Sequence, residues 1–238
     1  VHPGEAGLSI LEFLLGQHAT IPADRGIFLD KTRRLDPSIC RFISEAFYDG
    51  RLEAHSDNTR RQVVQGNLPT ANEGIHFQPV QHKGCSQKSI EEAAVINKKY
   101  LEILGQPFQD KDGTQRPLTA NDVLVVTPYN VQVNHLKSVL PRGARVGTVD
   151  KFQGQEAPVV LISLVTSSAE DLPRNIEFLY SKNRLNVALS RAQCLAVVAM
   201  NPSLLEVPCK TIEQMKLVNT FCWLEQYVQG SKPHVQAA

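Results

Sequence analysis

The chain has 238 residues, 42% of them hydrophobic and 21% charged, which suits a soluble globular domain with a full core. Its 25 lysines and arginines nearly offset 24 aspartates and glutamates, so no global positive field advertises nucleic-acid binding, and any such contact must come from charge placed locally. The longest strongly apolar run, VVLISLV at 159–165, is too short to cross a bilayer, so no membrane anchor is expected.

The chain opens on Val1 with no basic n-region or small-residue cleavage site, and it reads as a piece of a longer polypeptide. Leu8, Leu11, Leu14 and Leu15 recur at helical spacing and predict an opening helix. GIFLDKT (26–32) alternates like a strand; Pro37 then opens a helix through Ile39, Phe42, Ile43, Ala46 and Phe47, with Asp36 as its N-cap. A strand feeding a helix is the α/β signature. Residues 49–74 are polar, carry Gly50, Gly66, Pro69 and Gly74 with Arg60 and Arg61 clustered, and read as an elaborated surface loop. IHFQPVQH (75–82) reads as a strand whose proline assigns it to a sheet edge or a strand end. Ser89 starts a helix through EEAAVINKKYLEIL, and residues 105–121 lack periodicity and read as a loop.

VLVVTPY (123–129) is a nearly continuous apolar strand of the kind that parallel sheets bury on both faces, and the helix VQVNHLKSVL follows it. Next come ARVGTVDKF, VVLISLV, a polar connection at 167–182, the helix RLNVALSRA, the strand CLAVVAM and an amphipathic helix around KLVNTFCWLEQYV. This alternation predicts an α/β fold with a mostly parallel, doubly wound sheet and helices on both faces. Cys40, Cys85, Cys194, Cys209 and Cys222 form an odd set without a CxxC pair and read as thiols in a reducing, cytoplasmic compartment. His82 and Cys85 sit three apart, but no second ligand pair follows at useful spacing, so no metal site is expected.

Three segments carry the sharpest signal: TRRLDPSICRFISEAFYDGRL (32–52), GTVDKFQGQEAPVVLIS (147–163) and KNRLNVALSRAQCLAVVAMNP (182–202). In this order they resemble motifs IV, V and VI of superfamily 1B helicases, in the branch that holds the helicase of nonsense-mediated mRNA decay and the Dna2-like helicases. VVTPYNVQVNHLKSVL resembles the family's intermediate strand and helix, and GLSILEFLL the helix after motif III. Only 53–73 and 105–121 match poorly. The resemblance implies that residues 1–238 form a second RecA-like motor domain of P-loop NTPase type, with 1–20 linking it to a first motor domain.

A domain that senses the γ-phosphate of ATP needs cations that stay charged and fork onto two oxygens, which is the chemistry of arginine. Arg34, placed at a strand end before a helix, and Arg191, placed on the NVALSRA helix, are the catalytic candidates, and the resemblance implies that both reach across the interdomain cleft. A lone arginine more often pairs with a surface carboxylate to little effect, and it is the motif context that reverses the odds. The family writes Gln-Tyr-Arg-Met-His-Pro where this chain has TRRLDP, so Arg34 and Pro37 are kept while Thr32, Arg33 and Asp36 depart. In FQGQE, Gly154 permits close backbone approach to a ligand at a strand-to-helix transition. By resemblance, Glu156 accepts from the ribose hydroxyls while Gln153 and Gly154 line the nucleotide cleft; a solvated turn glutamate is the bland alternative.

Thr127, Thr148, Arg184 and Asn186 are the nucleic-acid candidates, since hydroxyls and exposed amides at the carboxyl edge of a parallel sheet bind phosphates without reading sequence. Tyr129 is either a stacking surface or core packing, and Arg184 and Asn186 either contact the strand or brace their helix. No Gly-Lys and no Asp-Glu dipeptide occurs, so a Walker A lysine and a Walker B pair are missing. The chain is therefore expected to act as half of an ATP-dependent 5′ to 3′ helicase on single-stranded DNA or RNA and to be inactive alone, with ATP and the ligands of its Mg2+ held chiefly by the first domain of the same polypeptide. The alternative is a non-catalytic nucleic-acid- or protein-binding module that keeps the fold.

Overall fold

A computed structural model describes residues 14–16, 18–64, 73–173 and 175–230. Its elements run β1 (Lys31–Thr32), α1 (Pro37–Phe47), β2 (Glu53–Ala54), β3 (Gln62–Val63), β4 (Gly74–Pro79), α2 (Ile90–Ile103), β5 (Pro107–Gln109), β6 (Gln115–Pro117) and β7 (Val123–Val126). They continue α3 (Asn130–Val139), β8 (Arg145–Gly147), β9 (Ala157–Ser163), α4 (Ile176–Leu179), α5 (Lys182–Leu189), β10 (Ala192–Met200) and α6 (Ile212–Gly230).

The apolar runs decide the architecture. β7 and β9 are buried at every residue and β10 at all but one, a pattern that requires cover on both faces. They form the centre of a five-stranded sheet of order β4-β10-β9-β7-β8, every pair parallel. Side chains alternate between its faces with the period of two that the pleat imposes. Leu124, Val126, Val160, Ile162, Ala196 and Val198 join one core with α1, α4, α5 and α6, whereas Val123, Val125, Val159, Leu161 and Val197 join a second core with α2 and α3. The expected doubly wound α/β sheet is thus observed. β4 is an edge strand and Pro79 its last residue, as a residue without an amide hydrogen requires. Asp36 caps α1 by accepting from Ser38 N at 2.8 Å and Ile39 N at 3.4 Å, with Pro37 in the first turn.

Three readings change. GIFLDKT is a strand only at Lys31–Thr32, because β1 has just the two residues of β2 to pair with; Ile27 and Leu29 stay exposed, while Phe28 turns in against Tyr48 and Arg51. The segment 105–121 is an antiparallel hairpin, β5–β6, closed by Asp110 N to Thr114 O at 3.0 Å, with Gly113 at φ 86 and β3 added alongside. The part of 49–74 that is described is no surface loop either, since Asn58 and Arg61 are 1% and 5% exposed and hydrogen-bond inward. Of the predicted opening helix only Leu14 and Leu15 are described, both helical; Leu8 and Leu11 lie outside the described residues. Among the described residues no helix is long and apolar enough to cross a membrane.

The hairpin is locked to the central sheet by one carboxylate. Asp122 accepts from Arg116 Nη1 and Nη2 at 2.8 and 2.6 Å and from Thr119 N and Oγ1 at 2.8 and 2.7 Å, a capping box just ahead of β7. Burial pushes its pKa up, but these donors outweigh burial and hold the carboxyl below its ordinary value. Its stabilisation is therefore complete above about pH 4 and fades as pH falls through the depressed folded value. Asp122→Ala is expected to cost about 1–2 kcal/mol at neutral pH in denaturant titrations, with the difference from wild type shrinking below about pH 3. A pH-independent difference contradicts the assignment.

Candidate functional site: two arginines at the amino edge of the sheet

Arg34 stands in the turn between β1 and α1, which is tied to the sheet by Asp36 N donating to Gln193 O at 2.9 Å. Its Nε pairs with Glu156 Oε2, and its Nη1 donates to Ser190 O at 3.1 Å. Glu156 immediately precedes β9 and also accepts from Gln193 Nε2 at 2.8 Å. Burial raises the Glu156 pKa, but the bonds from Arg34 and Gln193 and the Arg34 charge outweigh it and leave the carboxyl below its ordinary value.

Arg191 follows the end of α5, whose last helical residue is Leu189, so it is not on the helix as its sequence context suggested. Leaving the helix lets Arg191 O accept from Ala157 N at 3.0 Å and its Nη1 donate to Gln155 O at 3.3 Å. Its Nε is buried with no hydrogen-bond partner. Desolvation first, and the Arg34 charge second, lower its pKa against the pull of Glu156. Arg34 pairs with Glu156, and Arg191 stands within the field of both charges.

Gly154 is placed by its turn. Gln153 at φ −57, ψ 129 and Gly154 at φ +77, with Gln155 N donating to Phe152 O at 3.0 Å, make a type II turn, whose third position needs positive φ. A Cβ on Gly154 would meet no protein atom within 4 Å, so within the chain it is the turn that requires glycine here. The turn leads into β9, not into a helix.

The nucleic-acid candidates divide. Thr127 ends β7 and Thr148 follows β8, at the opposite, carboxyl edge of the sheet. Thr127 is fully buried, with its Oγ1 unpartnered, in a small cavity it shares with Phe178 and Arg184. Tyr129 is 5% exposed and stacks on Phe178 at 5.7 Å between centroids, which makes it packing and not an open stacking platform. Arg184 lies 4.2 Å over the same Phe178 ring, a residue that sequence reading passed over inside a polar connection. Arg184 and Val187 on α5, with Arg191 just past its end, line a cleft of about 380 Å³ with Val149, Asp150 and Gln153. Asn186, on another stripe of α5, and the C-cap Ser190 line a separate cleft of about 240 Å³ with Thr32 and Arg34. Asn186 donates to Tyr48 OH at 3.0 Å, and its Oδ1 is buried without a partner. Geometry therefore groups Asn186 with Arg34 and not with Thr127, Thr148 and Arg184.

The family described as AAA domain matches residues 7–203. Similar curated proteins include the DNA polymerase alpha-associated DNA helicase A of Saccharomyces cerevisiae, 28% identical over 75% of this chain and 28% of that protein. The Arabidopsis thaliana homolog of regulator of nonsense transcripts 1 is 30% identical over 72% of this chain and 14% of its own length. Human RNA helicase Mov10l1 is 38% identical over 76% of this chain and 16% of its own length.

The chain belongs to the AAA domain family, as a superfamily 1B helicase domain.

It spans less than a third of the length of the curated relatives it matches. In this helicase domain the two segments that resemble motifs V and VI run side by side. Residues 148–156 return from the carboxyl end of β8 to the amino end of β9 with only a 3-10 turn at Asp150–Phe152, while α5 travels the same way from Ser181 to Ser190. The 380 Å³ cleft lies between them and connects Arg184 at one edge of the sheet with Arg191 at the other.

Carbon-detected NMR of the Glu156 carboxyl should give a midpoint below the ordinary 4.5, and Arg34→Ala should move that midpoint upward. A wild-type midpoint at or above the ordinary value contradicts the pairing.

Proposed function

We propose that this domain is the second motor domain of an ATP-dependent helicase that translocates 5′ to 3′ along single-stranded DNA or RNA. In this reading it supplies Arg34 and Arg191 to an ATP site whose phosphate loop and Mg2+ ligands belong to a first RecA-like domain of the intact polypeptide. The observation that carries the reading is the convergence of two guanidiniums, one with a buried, unpartnered Nε, beside a single carboxylate. A buried donor without an acceptor is costly, and a polyanion at the edge would satisfy it. The donor set therefore fits a triphosphate.

On closure of the two domains, Arg34 exchanges Glu156 for phosphate oxygens, and Arg191 turns its Nε and Nη groups to the charge that develops on the transferred phosphoryl. Preorganised cations in a water-poor cleft act through transition-state charge and need little covalent chemistry from the protein. Glu156, released from Arg34, becomes an acceptor for the ribose hydroxyls. Thr148 and Arg184 contact the single strand at the opposite edge, where Thr127 is buried, and the segments flanking the 380 Å³ cleft link strand to nucleotide. All five cysteines are free thiols, in keeping with a cytoplasmic home.

In the intact protein, Arg34→Ala and Arg191→Ala are each expected to lower strand-stimulated kcat for ATP hydrolysis by about 10³ to 10⁵. Single-strand affinity at fixed salt should stay within about threefold, because neither arginine faces the strand in this reading. Unchanged turnover in both variants would rule out the arginine roles, whereas no strand-stimulated hydrolysis in the unsubstituted intact protein would favour a non-catalytic binding module.

A further inference from the structure

The turn that carries Arg34 is held by a device built from the segment that least resembles the helicase family. Four consecutive carbonyls, Thr32 to Leu35, face the 3-10 turn Ser56–Arg60 and the residue after it. The Asn58 amide donates to Thr32 O at 3.0 Å and Leu35 O at 2.9 Å, and Arg61 Nη1 donates to Arg33 O at 3.2 Å and Arg34 O at 2.7 Å. Only Thr32 O also takes a strand bond, from His55 N at 2.9 Å. Both clamping side chains are at least nine-tenths buried. Arg61 Nε in turn pairs with Asp110 Oδ1 at 2.9 Å, and Asp110 opens the β5–β6 turn.

Arginine suits this position because its planar fork keeps its charge when buried and serves several acceptors at once. An ion pair buried on one side only, as Arg61–Asp110 is, gives by itself weak support for a fold. The target of this one is what distinguishes it: all four carbonyls belong to the turn from which Arg34 projects.

We propose that Asn58 and Arg61 are positioning residues for Arg34, and that the Arg61–Asp110 pair makes the β5–β6 hairpin the outer support of the same turn. The inference rests on the reading that Arg34 acts at the nucleotide. Displacing a catalytic group by about 1 Å costs on the order of 10²-fold in rate, so loosening the clamp should act on kcat.

The test is single-turnover, strand-stimulated ATP hydrolysis by the intact protein carrying Arg61→Met, Asp110→Ala, Arg34→Ala, or Arg34→Ala with Asp110→Ala, with melting temperatures measured in parallel. Arg61→Met should lower the rate by about 10²-fold and Asp110→Ala by about tenfold, with ATP affinity within about threefold. In the Arg34→Ala background Asp110→Ala should have no further effect, because it acts only through Arg34. A purely structural support would lower the rate equally in both backgrounds, and that result overturns the clamp, as does a wild-type rate in Asp110→Ala. Should Arg61→Met fail to fold, the Asp110 cycle decides alone. A wild-type rate in Arg34→Ala overturns both the clamp and the two-arginine reading, whereas a normal Arg34→Ala loss with an additive Asp110→Ala overturns only the clamp.

Discussion

Strands β7, β9 and β10 are buried on both faces and all run in one direction, and this governs where everything else can stand. Parallel strands have to be re-entered from the same end, so every connection crosses the sheet and delivers its residues to one of two edges. The carboxyl edge receives Thr127 and Thr148, and the amino edge receives Arg34, Glu156 and Arg191. The proposed nucleotide and strand contacts lie at opposite edges and need elements that span the distance. Here α5 and the 148–156 connection do so.

Electrostatics at the amino edge follows from that placement. Two guanidiniums raise each other's energy, and Glu156 and Gln193 hold the arrangement together without neutralising it. The cost of keeping Arg191 Nε buried and unpartnered is of the order of 1–3 kcal/mol, a modest fraction of a domain's stability that the proposed anionic ligand would return on binding. Poised cations of this kind have little left to reorganise when charge develops in front of them.

How legible this was in the sequence depends on the length of the signal. VLVV, APVVLIS and AQCLAVVAM announce buried parallel strands because a continuous apolar run has no exposed face, and Asp36-Pro37 announces its helix because capping is local chemistry. The β5–β6 hairpin hid in strands of three residues each, although Asp112-Gly113 between them is a hairpin signal that could have been weighed. Arg61 reads as a surface charge because its acceptors, the carbonyls of Arg33 and Arg34, lie 28 and 27 residues away in sequence. The split of Asn186 from Arg184 was available in principle, since two residues on a helix differ by about 200° in direction. That Tyr129 packs on Phe178 was not, because aromatic partners from different elements meet only in the fold.

The proposed two-arginine site requires both side chains to meet the transferred phosphate. The most direct measurement is the structure of the intact protein with a single strand and ADP–aluminium fluoride. Guanidinium nitrogens of both Arg34 and Arg191 should lie about 2.7–3.1 Å from the fluorides, with Arg34 no longer on Glu156. A bound nucleotide whose fluoride group touches neither arginine would contradict it.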